Sequence, residues 1–204
     1  DVGANLGELT LHMAARGGRG GRVFAFEPVA GVYERLLTHI ARNQLNDIAC
    51  PMRCAVSNRT GHARIHFAEH AADNQGLASL VHDKHQRLPL STEVPTTTLD
   101  QFASTQALTR LDLIKIDIQG AELLFLEGAA NTLRAFRPDL LIEISPDDLQ
   151  ATNRNSVDLV RCLEEAGYQI YQLRRGRAGR RITAAGLRPD FKTPNVWCTR
   201  QPVD

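Results

Sequence analysis

Short apolar runs alternate with helical stripes along most of this 204-residue chain, and no other feature restricts its fold as much. "RVFAFEP" reads as a buried strand, and Val32, Tyr33, Leu36, Leu37, Ile40 and Ala41 then recur at i, i+3, i+4 spacing as a helix through Asn43. Upstream, Leu6, Leu9, Met13 and Ala14 repeat at helical spacing until "RGGRGG". "IACPMRCAVS" follows as a third strand whose usable part Pro51 pushes to its later residues. "GHARIHF" alternates strictly, with Ala63, Ile65 and Phe67 on one face. "LDLIKIDIQGAE" is a strand ending near Asp117, then a turn at Gly120 and one helix through Leu123, Leu126, Ala130 and Leu133. "RPDLLIEIS" is the next strand, and Asn155 or Ser156 caps a helix of Leu159, Val160 and Leu163 that Gly167 ends. "YQIYQL" and "NVWCT" close the chain as antiparallel strands. The expected fold is α/β, a doubly wound, mostly parallel sheet with ligands at the carboxyl ends of its strands.

Bulk properties narrow the function. The length suits a single domain spanning 1–204, with a polar, histidine-rich, lid-like insertion at 69–93. A net charge of +1 argues against nucleic acid or an anionic membrane as the default partner, and no run is long enough to span a membrane. The four cysteines lack zinc-type pairing, so reduced thiols and a cytoplasmic location are expected. Because Asp1 stands where a buried strand should end, most of that first strand is expected to have been cut away upstream.

The opening "DVGANLGELT" decides the ligand class. A dinucleotide turn needs a glycine where Asn5 stands, and a P-loop needs Lys then Ser or Thr where Glu8-Leu9 follow Gly7. What remains is D-x-G-x-N-x-G: glycines that let the chain bend against a ligand, beside an acid that repels phosphate and attracts cations. S-adenosylmethionine is cationic and carries no phosphate. Asp1, Gly3, Asn5 and Gly7 are therefore candidate cofactor residues, and Glu27, at the end of the next strand, is placed to accept hydrogen bonds from ribose hydroxyls.

"DVGANLG", "FAFEP", "CAVSN", "TTTLDQF", "LIKIDIQGAE" and "LLIEIS", in this order, resemble the FkbM family of S-adenosylmethionine-dependent methyltransferases. The resemblance implies the seven-stranded class I fold, Rossmann-like with an antiparallel last strand, and methyl transfer to a hydroxyl of a small molecule or glycan. That family shows an acidic residue where this chain has Gln119. By the same analogy Ser57 and Asn58 line the adenine pocket, and Gln75–Leu80 is the part of the lid nearest substrate.

Asp117 is the first candidate to orient or deprotonate the acceptor hydroxyl, with cofactor binding as its other role, and Glu143 is the second. Glu122 favours a helix N-terminus, and Lys115, in an apolar strand, is expected at an edge or paired with a carboxylate. His66, His70, His82 and His85 form no regular metal set, so no metal is expected, although one of them could serve as a base. Arginines crowd "RRGRAGRR", read as a solvated loop, while Trp197 and Phe191 are read as core. Two rival functions remain: an RNA methyltransferase, for which only the arginines speak, and a noncatalytic adenosyl-binding scaffold.

Overall fold

The computed structural model describes residues 1–67, 78–80, 90–191 and 193–201. After the opening turn, α1 (Glu8–Gly17), β1 (Val23–Phe26), α2 (Ala30–Arg42) and β2 (Ala49–Met52) begin the alternation. β3 (Ala55–Val56), β4 (Gly61–Phe67), β5 (Ala78–Ser79) and β6 (Leu90–Thr97) follow, with no helix between them among the described residues. The alternation resumes with α3 (Leu99–Thr105), β7 (Leu113–Ile116), α4 (Glu122–Glu127), α5 (Ala130–Phe136) and β8 (Asp139–Ile144). It ends in α6 (Pro146–Leu149), α7 (Ser156–Glu165), β9 (Gln169–Arg174), β10 (Arg177–Ile182) and β11 (Thr193–Thr199).

β1 pairs in parallel with β2, and β7 with β8. Val2 forms parallel bridges to both Phe26 and Ile116, so the opening residues lie between β1 and β7. Beyond β8 the order continues β11–β9–β10, and every one of those pairings is antiparallel. β3, β6, β4 and β5 form a second, four-stranded sheet in that order, with β4 antiparallel to both neighbours. The fold is α/β and its sheets are mixed: β1–β2 and β7–β8 are parallel pairs, while the pairings of β9, β10 and β11 are antiparallel. Parallel neighbours need a long crossover between them, and the two-residue turn joining β9 to β10 leaves only the antiparallel choice.

Local sequence explains most elements. α2 buries Val32, Leu36 and Ile40, the stripe its spacing predicts. α7 begins at Asn155, whose side chain accepts from the Val157 and Asp158 amides in a full capping box, and Gly167 follows it with φ +86°. Three expectations fail for tertiary reasons. Pro51 lies within β2, opposite Ala25, because β2 is an edge strand on which a missing N–H is tolerated. The predicted helix through Leu133 breaks at Gly128, which sits so close to the Ser57 carbonyl that no side chain fits there. Leu9 stays 39% exposed rather than entering the core, while α1 buries Thr10 and Ala14 instead.

Phe102 of α3 meets the rings of Phe24 and Phe26 edge-on, with centroids 5.0 and 4.9 Å away, and so fixes α3 against β1. Trp197 is partly buried beside Tyr171 and donates to Asp139 Oδ2 at 3.1 Å, and Phe191 packs on the core as expected. The cysteines are free thiols, but only Cys198 is fully buried. Most of the lid-like insertion lies outside the described residues, and its end, Leu90–Glu93, is strand β6. Among the described residues no helix is long and apolar enough to cross a membrane.

Candidate active site

The opening turn is stitched between two strands. The Gly3 and Ala4 amides both donate to the Phe26 carbonyl, at 3.1 and 2.9 Å, while the Asp117 amide donates to the Val2 carbonyl at 3.2 Å. Gly3 adopts φ +76°, and a Cβ there would fall on the Asp117 carbonyl, so the sequence needs glycine on both counts. Next to it Asn5 takes φ +51° and turns its amide onto Glu27, donating to Oε2 at 3.0 Å. The other carboxylate oxygen, Oε1, accepts from the Val29 amide at 2.8 Å. Glu27 is 5% exposed, and this burial pushes its pKa up to about 7 despite both backbone donors and the Lys115 charge.

A cavity of about 210 Å³ opens over this turn. Gly3, Asn5, Glu27, Lys115, Asp117 and Gln119 supply its polar lining. Leu6, Leu9 and Val32 make one apolar wall, and Ala55, Val56, Ile65 and Leu80 bring a second wall from the smaller sheet. Asn5 Oδ1 is buried and has no hydrogen-bond partner among the described residues. An acceptor left dry in this way costs stability unless a ligand or solvent donates to it.

Lys115 ties the floor together. Its ammonium donates to the Gly3 carbonyl at 2.6 Å and forms ion pairs with Asp1 Oδ1 at 3.3 Å and Asp117 Oδ2 at 3.6 Å. Burial lowers its pKa, opposed by Asp117, Glu27 and Glu143. The sequence reading gave Lys115 only a structural part. The signal was nonetheless present, since a lysine inside an apolar strand must find carboxylates or stay uncharged. Asp117 keeps its side chain 39% exposed toward the cavity, and Gln119 donates to its Oδ1 at 3.3 Å. A hydrogen-bond donor thus stands where an acid would add a like charge.

Several candidates fall outside the lining. Asp1 is a buried partner that accepts from the Thr10 hydroxyl at 2.6 Å, and Gly7 caps α1 at φ +91° against Leu36. Ser57 is buried behind Val56, and Asn58 reaches away to donate to Glu127. Glu143 does not line the cavity and acts on it through the charge of Lys115. Glu122, 4% exposed, accepts from the Ile118 and Gly120 amides and shapes the next turn rather than the cavity. His66 lies on β4, opposite Ser79 and Ser91, away from the lining. His70, His82, His85 and residues 75–77 lie outside the described residues. Among the described residues no group of three or more His, Cys, Asp or Glu could hold a metal ion.

Known proteins resemble this chain at three levels. The model of the methyltransferase FkbM domain matches residues 1–170. Methyltransferase sdnD of Sordaria araneosa is 24% identical over 152 residues, covering 63% of this chain and 58% of that protein. The crystal structure of methyltransferase FkbM from Methylobacillus flagellatus KT superposes over 97% of this chain and 42% of its own, with a TM-score of 0.55 and 20% identity. The chain therefore spans roughly half the length of these relatives. With the family model covering the opening turn, both candidate carboxylate strands and the cavity floor, this chain belongs to the FkbM methyltransferase family.

Proposed function

We propose that this protein transfers a methyl group from S-adenosylmethionine to a hydroxyl oxygen of a small molecule or glycan. The observation that carries the reading is the acceptor-rich lining of the cavity: Asn5, Glu27 and Asp117 belong to it, while the buried Lys115 is already engaged by three oxygens. Such a lining fits a cationic ligand rich in hydroxyls and suits a phosphate poorly. The order β2–β1–Val2–β7–β8–β11–β9 is then read as the seven-stranded class I sheet, with Val2 in the place between β1 and β7.

Glu27 would hold the ribose hydroxyls, since each of its oxygens keeps a lone pair beyond the backbone bond it accepts. Asn5 Oδ1 would accept a further hydrogen bond. The apolar wall of Leu6, Leu9 and Val32 would enclose the adenine. When bound, the cofactor supplies an electrophilic methyl group on sulfur. Asp117 then orients the acceptor hydroxyl or takes its proton, and Lys115 keeps that carboxylate beside the opening turn. Glu143 has no direct reach from its place outside the lining, so Asp117 is the preferred base.

Titration calorimetry with S-adenosylmethionine tests the cofactor, and label transfer from the methyl group into candidate hydroxyl acceptors tests the reaction. Tighter binding of a nicotinamide dinucleotide would overturn the reading. Binding without transfer to any acceptor would leave the noncatalytic scaffold.

A further inference from the structure

Residues 174–181 hold five arginines, Arg174, Arg175, Arg177, Arg180 and Arg181, all of them exposed. They do not form the solvated loop that the sequence suggested. They form a β-hairpin in which Arg174 of β9 stands directly opposite Arg177 of β10. None of the five forms an ion pair among the described residues.

The hairpin is built against its own local preferences. Like charges directly opposite one another on paired strands repel. The two turn residues, Arg175 and Gly176, adopt φ +50° and +73°, a geometry that favours Asn-Gly and penalises a long side chain in its first place. Charge along β10 would guard an edge strand from pairing with other chains. That purpose does not call for an arginine in the turn or for two facing each other.

Register places this tip on the same edge of the main sheet as Asp117. Ile116 is the partner of Ile142, Ile142 of Val196, and Val196 of Gln172, which makes one row across β7, β8, β11 and β9. Two antiparallel pairings restore the direction of β7 in β9. Asp117 lies one residue beyond the row, and Arg174 and the turn lie two or more residues beyond it on the same edge. Among the described residues the pairing of β9 with β11 goes no further than Gln172, and Arg174 lies level with the Ile144–Thr193 pair of β8 and β11. Three strand spacings separate β9 from β7, roughly 15 Å.

We infer that this hairpin is the distal part of the acceptor site, and that the acceptor carries phosphate groups, as a phosphorylated or pyrophosphate-linked sugar does. The inference rests on the proposed methyl transfer. Arginines bind phosphate oxygens with forked, charge-assisted hydrogen bonds, and an acceptor spanning about 15 Å reaches Asp117 with its hydroxyl while its phosphates lie on the tip. Nucleic acid is disfavoured because no aromatic side chain interleaves with the arginines and the whole chain carries a net charge of only +1.

The test is calorimetric titration of inorganic pyrophosphate into the wild-type protein and into the triple variant Arg174→Gln/Arg175→Gln/Arg177→Gln, with S-adenosylmethionine titrated into both. Pyrophosphate affinity is expected to fall about 10- to 100-fold in the variant and to weaken with salt in the wild type, while S-adenosylmethionine affinity stays the same. A thermal melt no lower than that of the wild type establishes that the variant folds, and Arg→Lys at the same three positions should restore part of the affinity. Equal pyrophosphate affinity in wild type and variant, or none in the wild type, would overturn the inference. So would single-stranded RNA binding to the tip more tightly than pyrophosphate. Failure of the wild type to bind S-adenosylmethionine would instead remove the proposed function, whatever pyrophosphate does.

Discussion

The turn that opens the chain and the turn after β7 are built alike and do different work. Each places a glycine of positive φ against a backbone carbonyl, Gly3 on Asp117 and Gly120 on Asp148. Both bury a glutamate that receives backbone amides, Glu27 and Glu122, and burial raises both carboxyls to about 7. Yet only Glu27 faces the cavity, whereas Glu122 lies behind a turn packed against α6. Burial and a shifted pKa thus mark a carboxylate as constrained, but do not say for what. The open space in front of Glu27 makes the difference.

Asp117 belongs to both turns, since its carbonyl bears on Gly3 and its side chain accepts from Gln119, and the largest effect is expected there. Asp117→Asn should lower kcat by about 10²- to 10⁴-fold while keeping the fold and most affinity for S-adenosylmethionine. Full turnover with collapsed affinity would make Asp117 a cofactor ligand. Next come the glycines: Gly3→Ala and Gly120→Ala should each cost about 2–4 kcal/mol in denaturant unfolding, because strain and a backbone clash act together. A harmless Gly120→Ala would break the likeness between the turns.

Substitution of the two glutamates separates their roles. Glu27→Ala should weaken S-adenosylmethionine binding by about 1.5–3 kcal/mol, and Glu122→Ala should lower the melting temperature without a comparable loss of affinity. Equal affinity losses would mean that the second turn also feels the ligand.

The smallest effect is a dependence on pH. Each folded pKa is raised from 4.5 to about 7, so each group's contribution to stability is full below 4.5 and is lost as pH rises through 7. Gln at either position should flatten that slope and, for Glu122→Gln, raise stability at pH 8 by about 1–3 kcal/mol. Hydroxyl donors from a bound cofactor favour the ionised form of Glu27. Binding near pH 6.5 should therefore release protons in the wild type and in Glu122→Gln, but not in Glu27→Gln, a difference that calorimetry in buffers of unlike ionisation enthalpy reads directly.

Local rules made the helices and much of the cavity floor legible. α2, α7 with its Asn155 cap, and the strand-end placing of Glu27 and Asp117 all follow from spacing and turn chemistry. What escaped depended on neighbours distant in sequence. Pro51 was misread because nothing in the sequence says that β2 is an edge, and Gly128 because Ser57 is 71 residues away. Asp1 was taken for a ligand residue although its partners, Thr10 and Lys115, bury it. Lys115 itself was visible as an anomaly, but two of its three oxygens belong to Asp1 and Gly3, at the far end of the sequence.

The two walls of the cavity have unequal freedom to vary. Its floor is a keystone arrangement, where Gly3, Lys115 and Asp117 each hold the others in place and a change in one disturbs all. The facing wall hangs on a separate sheet, with Ile65 on β4 and Leu80 just after the edge strand β5. A lineage could therefore exchange Leu80 and its surroundings while the floor is inherited unaltered. Such a division would let one scaffold reshape one side of its cavity at little risk to the other.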